Sequence, residues 1–266
     1  MTGGRAWPAA AAHRHRSLLV GAVSVALVLS LWSLASTRGW VSPRVLPSPG
    51  ALAAEVGHLW SEGYQGKPLL VHVRASVYRA MLGLFLAVAI GVPLGLLVGY
   101  SWVAAAALTP IFSFARPIPA ISFIPLVILF FGIGEFPKVL LIFLTSMLYI
   151  ILNTSAGVLS VPQELIRVGL NLGLTRLQLF RSVMFPASLP YVMTGIRTAT
   201  AVSWALVVAA ELVAAQEGLG YMVMDAATFF RVADVYISIG IIGAIGLALE
   251  LVEGLVEARV LHWRGR

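Results

Sequence analysis

The side chains that could do chemistry in this sequence are a few charged and polar residues inside long apolar runs. Glu211 and Arg197 lie in one run, and Arg116 interrupts another. A charge in such a run is costly unless it has a partner or lines a watery cavity, so we take these residues as candidates for a solute pathway. The weaker candidates are Thr145, Asn153, Ser203 and Trp204.

The charged candidates also admit a purely structural interpretation. Glu211 could form a buried hydrogen bond or ion pair instead of a gate. Arg116 could be an ordinary interfacial arginine rather than a contact for an anion at the inner mouth of a pore. Glu211 and Arg197 are 14 residues apart, about 21 Å along a straight helix, so they cannot pair within one helix.

Three glutamates near the C-terminal end of the chain fall on one helical stripe. They are Glu250, Glu253 and Glu257. Their sign opposes the helix dipole at that end of the predicted helix. We therefore expect a cationic neighbour, such as Arg259 or an arginine of a partner.

Catalytic chemistry is not indicated by the sequence. The chain has no Cys, which excludes disulfides, thiolate catalysis and Cys-based metal sites. Its five His form no metal-ligand spacing beyond His13 and His15, which fit a solvated basic tail. A G-x4-GK[ST] phosphate loop, a nucleophile elbow and an HExxH set are all absent from the sequence, so we predict no catalytic residues, no metal site and no cofactor bound by this chain.

Composition assigns the chain to the membrane. Of its 266 residues, 59% are hydrophobic and 11% are charged, against roughly 25% charged in a soluble domain. A helix needs about 20 mainly apolar residues to cross the hydrocarbon core, and lipid offers no partners for unpaired backbone groups. The net charge of +7 is spread over loops and ends, where it orients the spans, so we expect no nucleic-acid partner. Uncharged runs cover residues 17–37, 80–115, 117–134, 139–163 and 235–249.

We predict an all-α polytopic membrane protein with six transmembrane helices. A basic tail, residues 1–16, precedes a first span at 17–37, which we interpret as retained rather than as a signal peptide. Residues 38–72 form an extracytoplasmic connection with an interfacial helix, and residues 257–266 form a second basic tail. The other five spans lie in a core at 73–256, where the sequence indicates 73–100, 118–132, 139–159, 186–213 and 235–256.

The positive charges indicate the orientation. Six spans place both termini and a loop at 160–185 on one side, and the arginines of these segments assign that side to the cytoplasm. The 38–79 stretch is basic as well and runs against this rule. We expect Arg74 and Arg79, at the outer end of the second span, to snorkel toward the interface.

Two further features predict how the spans are built. Small residues spaced four apart from Gly83 to Gly99 form one face of the second span, which favours close packing within the subunit over a special dimer contact. The RPIP sequence at 116–119 interrupts the third segment, because proline removes donors and breaks a helix. We therefore expect a short element before residue 116 and a span after it.

The loop at 160–185 is a basic, amphipathic insert between apolar runs. SVPQ at 160–163 has the spacing of a capping box, and TRLQ at 175–178 repeats it. Gly173 suits a left-handed C-cap between them. We predict two short helices joined by a glycine elbow, with Pro186 starting the next span.

Two interpretations of this insert remain open. Its apolar face and its arginines suit a helix pair that lies on anionic lipid. The same features suit a plug that docks into a soluble partner. A lipid anchor would not require a glycine elbow at a fixed distance from a proline, but these physical arguments leave the two interpretations nearly even.

The insert also resembles a known motif. Gly173, nine residues and then VMFP at 183–186 are similar to the G-x9-I-x-L-P part of the EAA loop of ABC-importer permeases. The stretches LPSPGAL, RPIPAISFIPLVILFFGIGEFPK, AAELVAAQEGLGYMV and LHWRG resemble the nitrate/sulfonate/taurine branch of that family, and taurine-type members most of all. The resemblance covers most of the chain from Pro47 onward.

The resemblance implies a type I ABC-importer (MetI-like) permease fold in the inner membrane. It implies a homodimer with a second permease copy, two ATPase subunits that bind ATP-Mg, and an extracytoplasmic binding protein. The solute would be a small organic anion, taurine or an alkanesulfonate first, with nitrate, bicarbonate or another small solute as the alternative. The implied ATPase-coupling residues are Glu164, Arg167, Val168, Gly169, Gly173, Arg176, Phe180 and Pro186.

One position departs from the motif. Six residues before Gly173 the motif has Glu, where this chain has Arg167, and Glu164 lies three residues earlier. Taurine-type members resemble this chain in that respect, so the departure puts in doubt only a carboxylate contact from the loop to the ATPase. Arg167 would instead meet acidic groups of the ATPase or stay solvated.

A secondary transporter is a more distant alternative. It would show matching halves with paired broken spans, whereas this sequence has one such break, at 116–119. An intramembrane enzyme would need a catalytic set of residues, which the sequence does not contain.

Overall fold

The computed structural model describes residues 7–263. The outer parts of the two predicted basic tails, 1–6 and 264–266, lie outside this range. A 3-10 turn at Ala120–Phe123 and a π-helical turn at Phe180–Met184 connect neighbouring helices. The α-helices within the described range are α1 (Trp7–Thr37), α2 (Pro49–Ser61), α3 (Leu69–Tyr100), α4 (Trp102–Ala115), α5 (Ile124–Phe131), α6 (Glu135–Leu159), α7 (Gln163–Asn171), α8 (Arg176–Leu179), α9 (Phe185–Ala214), α10 (Leu219–Thr228) and α11 (Val232–Val260).

The all-α membrane architecture is confirmed. Among the described residues, the segments that contain α1, α3, α6, α9 and α11 are long and apolar enough to cross a membrane. Helices α4 and α5 make a sixth span if they are counted as one broken unit with an 86° bend. The bend falls at the RPIP sequence, as predicted. The span expected at 118–132 is shorter than predicted, because a 3-10 turn occupies 120–123 and α5 begins only at Ile124.

The core is built on the contact between α3 and α6. The small residues of α3 lie directly against α6, so a Cβ at Gly95 would lie 2.6 Å from the Cβ of Thr154. A Cβ at Gly83 would lie 2.6 Å from Cγ2 of Ile142. Ala87, between these glycines, is fully buried. The predicted small-residue face therefore packs within the subunit, where it lets two backbones approach closely.

Gly95→Leu should separate α3 from α6 and destabilise the subunit. Overpacking a close helix contact costs about 1–3 kcal/mol, and the neighbour here includes backbone, since a Cβ would also lie 3.0 Å from the Ile151 carbonyl oxygen. The melting temperature of the purified protein in detergent checks this. Gly240→Leu on α11 is the control, because nothing lies within 4 Å of a Cβ there. Equal losses in both variants would contradict the packing argument.

The segment at 217–234, between the predicted spans 186–213 and 235–256, is partly helical. It contains α10, whose apolar residues Leu219, Met222 and Ala226 are fully buried. Their spacing places them on one helical face, which packs against α9 and α11. This helix closes one end of the bundle, at the C-terminal end of α9.

The N-terminal part of the chain lies mostly at the surface. Helix α1 begins at Trp7, earlier than the span predicted from residue 17, and its apolar side chains from Leu19 to Leu31 are exposed. Helix α2 forms within the predicted 38–72 connection, with the Ser48 hydroxyl accepting the Ala51 N–H at 3.2 Å. Exposed apolar surface of this extent on a long helix suits contact with lipid.

Candidate functional site

The insert contains the predicted glycine elbow. Gly173 has φ +79°, a left-handed conformation that glycine adopts without a Cβ penalty. The Leu174 N–H donates to the Gly169 carbonyl at 3.1 Å, and the Gly173 N–H donates to the Leu170 carbonyl at 2.9 Å. These two bonds form a Schellman motif, so α7 ends at a fixed angle to the chain that follows.

Only one of the two predicted capping boxes forms. Thr175 and Gln178 make the reciprocal bonds of a capping box at the start of α8. At α7 the N-cap is Pro162, and its side chain makes no capping bond. The hydroxyl of Ser160 instead donates to the Gly157 carbonyl at 2.8 Å. The SVPQ prediction is therefore wrong, because this serine satisfies a carbonyl at the end of α6.

We predicted that the second helix of the insert ends before the next span begins, and this prediction is wrong for α8. It runs through the π-helical turn into α9, and the stretch Arg176–Val213 forms one apolar segment of 38 residues. The Phe185 N–H donates to the Phe180 carbonyl across the π turn. Pro186 follows in the first turn of α9 and has no N–H to donate. A displacement of α8 would therefore pass directly into α9.

The insert has an exposed apolar face, and its opposite side packs against the rest of the subunit. Gly169 is buried, and a Cβ there would lie 2.6 Å from Cδ1 of Leu179. The ring of Phe180 packs edge-on against Tyr100, with 5.4 Å between centroids, which ties the insert to α3. The exposed side chains of α7, the elbow and α8 include Glu164, Leu165, Arg167, Val168, Leu172, Arg176 and Leu177.

A cavity of about 730 Å³ lies between the broken span and α6. Its walls are largely apolar and aromatic, and the structure brings two of the predicted pathway residues, Arg116 and Thr145, to its lining together with Tyr149. Asn153 is not among the lining residues, and its side-chain amide donates to the Tyr149 carbonyl at 2.8 Å. The cavity thus combines one guanidinium and two hydroxyls with apolar walls, a composition suited to a small anion.

Two other predicted pathway residues lie inside the helix packing. Ser203 is buried and shares a hydrogen bond of 2.6 Å with the hydroxyl of Ser146, between α9 and α6. The indole N–H of Trp204 donates to the Ile242 carbonyl of α11 at 3.0 Å. Trp204 also lines a separate cleft between α9 and α11. Ser203 therefore acts as a packing contact in this structure.

Glu211 is the centre of a buried hydrogen-bond network and lines neither of these spaces. Its side chain is fully buried and accepts hydrogen bonds from the Ser76 hydroxyl at 2.8 Å, from Arg79 at 2.5 Å and from the Gly220 N–H at 2.9 Å. The Ser76 hydroxyl in turn accepts the Leu219 N–H at 2.8 Å. The ion-pair interpretation of Glu211 thus matches its contacts.

Arg79 is buried and does not snorkel, which corrects our prediction for this residue. Its guanidinium binds the Glu135 carboxylate at 2.5 and 2.7 Å and also donates to the Glu217 carbonyl at 2.7 Å. With Glu211 it joins α3, α6, α9 and the turn before α10. Arg74, by contrast, is exposed. A signal was available in the sequence, because the predicted topology places Arg79, Glu135 and Glu211 at or near the outer side of the membrane.

A second charged cluster lies in the N-terminal half of α9. Arg197 lies 3.4 Å from a carboxylate oxygen of Glu250 and 3.6 Å from one of Glu257. Two glutamates of the stripe thus have a cationic neighbour within the subunit, Arg197, in place of the suggested Arg259. Sequence spacing could not show this, since the contact depends on how α9 packs on α11.

The surface beside the buried network carries further ion pairs. Lys67 donates to Glu217 at 2.5 Å and lowers the pKa of that carboxyl. Asp225 accepts hydrogen bonds from Tyr64 at 2.7 Å and from Arg231 at 2.5 Å, and burial raises the pKa of Tyr64. These pairs fasten the connection before α3 to α10.

The sequence relatives identify the family. Residues 91–262 match the family described as binding-protein-dependent transport system inner membrane component. The chain belongs to this family. It is 36% identical to the taurine transport system permease protein TauC of Escherichia coli (strain K12) over 97% of this chain and 93% of that protein. It is 33% identical to the putative aliphatic sulfonates transport permease protein SsuC of Bacillus subtilis (strain 168) over 92% of this chain and 87% of that protein.

A solved structure supports the fold of this permease. The chain superposes on a subunit of the MetNI methionine ABC transporter, in an inward-facing conformation, with a TM-score of 0.63. The two sequences are 17% identical, and the match covers 72% of this chain and 95% of the other. The permease therefore has the MetI-like fold of ABC importers, and it is a multi-pass protein of the inner membrane.

Proposed function

We propose that this permease forms the membrane pathway of an ABC importer for a small sulfonate, with taurine or an alkanesulfonate as the solute. The names of the two relatives reported above support this class of solute. In the proposed complex two copies of the chain pair in the membrane. Two ATPase subunits bind ATP-Mg at the cytoplasmic side, and an extracytoplasmic protein delivers the solute. Both termini and the insert face the cytoplasm.

The main support for this proposal is the structure of the insert at 160–185. Its exposed apolar face, with Leu165, Val168 and Leu172, has no partner within the described chain. The elbow at Gly173 holds α7 at a fixed angle, and α8 continues without interruption into α9. A rigid lever of this kind is better explained by a soluble partner that pushes on it than by a passive contact with lipid.

In this mechanism the insert couples the ATPase to the spans. Closure of the ATPase subunits around ATP would displace α7, and the continuous α8–α9 segment would carry that movement to the end of α9. Arg167 and Arg176 lie exposed on the insert and would meet acidic groups of the ATPase. Glu164, three residues before the motif position, would contribute less.

The cavity beside the broken span supports a path for an anion. Arg116 lines it and would attract the sulfonate group, and the Tyr149 hydroxyl would donate a hydrogen bond to it. The Thr145 hydroxyl, which donates to the Leu141 carbonyl at 2.8 Å, would add a polar surface without a free proton. The prolines at 117 and 119 line this cavity, so the bend of the broken span lies at its wall. A break in a span is tolerated where it lines a cavity rather than lipid.

Reconstitution of the full transporter with its ATPase and binding protein tests this function. We expect ATP hydrolysis to rise when the binding protein carries taurine or an alkanesulfonate, and labelled solute to accumulate in the vesicles. Nitrate and bicarbonate serve as the alternative solutes in the same assay. Stimulation by nitrate alone would overturn the sulfonate assignment, and transport by the isolated permease without any ATPase would overturn the whole proposal.

A further inference from the structure

The cleft between α9 and α11 has an unusual combination of charges for a membrane protein. It encloses about 330 Å³ and is lined by Arg197, Thr200, Trp204, Glu250 and Glu253 among others. This volume is within the range of sites for small molecules. Glu257 borders it through its contact with Arg197. One guanidinium thus faces three carboxylates, so a simple anion would meet net negative charge.

The charged groups of this cleft are incompletely paired. Arg197 lies 3.4 and 3.6 Å from its two carboxylates, beyond the roughly 2.7–2.9 Å of a close charge-assisted hydrogen bond. One carboxylate oxygen of Glu253, Oε1, is shielded from solvent and has no hydrogen-bond partner among the described residues. An unpaired carboxylate oxygen in such a place is costly and calls for a donor.

The cleft also has an aromatic residue, Trp204, in its lining. Trp204 is buried, and its ring packs against α11 at Gly246, where a Cβ would lie 3.4 Å from the indole. An ammonium group between the indole face and the Glu253 carboxylate would gain both a cation–π contact and an ion pair.

The charged residues on the two sides of the cleft lie at the same level of the bundle. Arg197 lies 17 residues before Ala214 and Glu250 lies 18 residues after Val232, so each is about 26 Å from the opposite end of its helix. A hydrocarbon core is about 30 Å thick. Both charges therefore lie at one level, closer to the end of the bundle that carries the insert than to the end closed by α10.

We propose that the α9–α11 cleft binds a small zwitterion, with its ammonium at Glu253 and Trp204 and its oxyanion group at Arg197. A free aminosulfonate such as taurine has this chemistry, and so does the headgroup of an aminophospholipid. The taurine form of the proposal rests on the proposed function and narrows it, since the cleft would favour an aminosulfonate over a sulfonate without an ammonium group.

Direct binding to the permease–ATPase complex in lipid nanodiscs tests this site. The matched probes are taurine and 2-hydroxyethanesulfonate, which differ by an ammonium against a hydroxyl group. We expect taurine to bind at least ten times more tightly, and Glu253→Gln to remove that difference. Arg197→Gln should weaken both probes alike. Glu62→Gln, directly after α2 and with an exposed carboxylate, is the control and should change neither.

A separate experiment tests whether a lipid headgroup is the ligand of the cleft. If taurine does not bind, the melting temperature of the complex in phosphatidylethanolamine discs should exceed that in phosphatidylglycerol discs, and Glu253→Gln should abolish the difference. That result would support the zwitterion site with a headgroup as its ligand. Equal behaviour of wild type and Glu253→Gln toward both probes and both lipids would overturn the proposal.

These outcomes are distinct from failure of the proposed function. Hydrolysis stimulated by the loaded binding protein can persist when Glu253→Gln has no effect on binding, and then only the cleft assignment is lost. If no sulfonate stimulates hydrolysis in the wild type, the proposed function fails, and the headgroup arm still decides whether the cleft binds a zwitterion.

Discussion

Arg79→Gln should destabilise the permease by about 3–5 kcal/mol, the loss expected when one partner of a buried ion pair is removed. Glu211 would keep its charge in a fully buried position with only neutral donors around it. The Glu135 carboxylate and the Glu217 carbonyl would lose their arginine donors as well. The melting temperature of the purified complex measures the effect. Arg74→Gln, an exposed position on the same helix, is the control and should change it little.

A double variant separates charge from packing at this site. Arg79→Met combined with Glu211→Leu removes both buried charges, and replacing a buried pair with apolar residues is often neutral or stabilising. Glu135 can be left in place because its side chain is 56% exposed. We expect the double variant to regain at least half of the stability lost by Arg79→Gln. If it melts as low as the single variant, the charge explanation is wrong.

The sequence predicted well those features that depend on neighbouring residues. The elbow at Gly173 and the bend at 116–119 follow from backbone conformations that glycine and proline impose locally. The capping box at Thr175 is local in the same way. Even the packing face from Gly83 to Gly99 needed only a helical period, since any partner helix must approach through its small residues.

The sequence could not predict contacts that depend on how distant helices align. Arg79 pairs with Glu211 across 132 residues, and Arg197 meets Glu250 across 53. Each pair requires a particular register between two spans, and apolar residues around them fit many registers equally well. Ser160 shows the same limit on a small scale. Its spacing suited a cap that accepts an N–H of α7, but its hydroxyl instead donates to the Gly157 carbonyl at the end of α6.

The buried network and the insert lie at opposite ends of α9, so in the proposed complex we expect each to affect transport separately. Arg79 and Glu211 join the C-terminal end of α9 to α3, α6 and α10. The insert continues into the N-terminal end of the same helix. A movement that enters at α8 would thus meet a fixed anchor some 30 residues away, and α9 would transmit it as a tilt of the helix rather than as a local bend.

Gly173→Val should uncouple ATP hydrolysis from transport while leaving the spans folded. The elbow requires φ near +79°, which a β-branched residue adopts only with strain, so α7 would leave its fixed angle to α8. In the proposed complex we expect hydrolysis stimulated by the binding protein and solute uptake to fall at least ten-fold. The basal hydrolysis rate and the melting temperature of the spans should stay close to wild type, because no Cβ contact lies within 4 Å at Gly173.

Gly173→Asn is the matched control, since asparagine tolerates the left-handed conformation better than other residues with a side chain. It adds a side chain at the same exposed position but preserves the Schellman bonds from Gly173 and Leu174. We expect it to keep most of the stimulated hydrolysis. If Gly173→Asn and Gly173→Val lose coupling equally, the surface of the elbow rather than its angle is what the ATPase recognises. If neither loses coupling, α7 does not act as the lever.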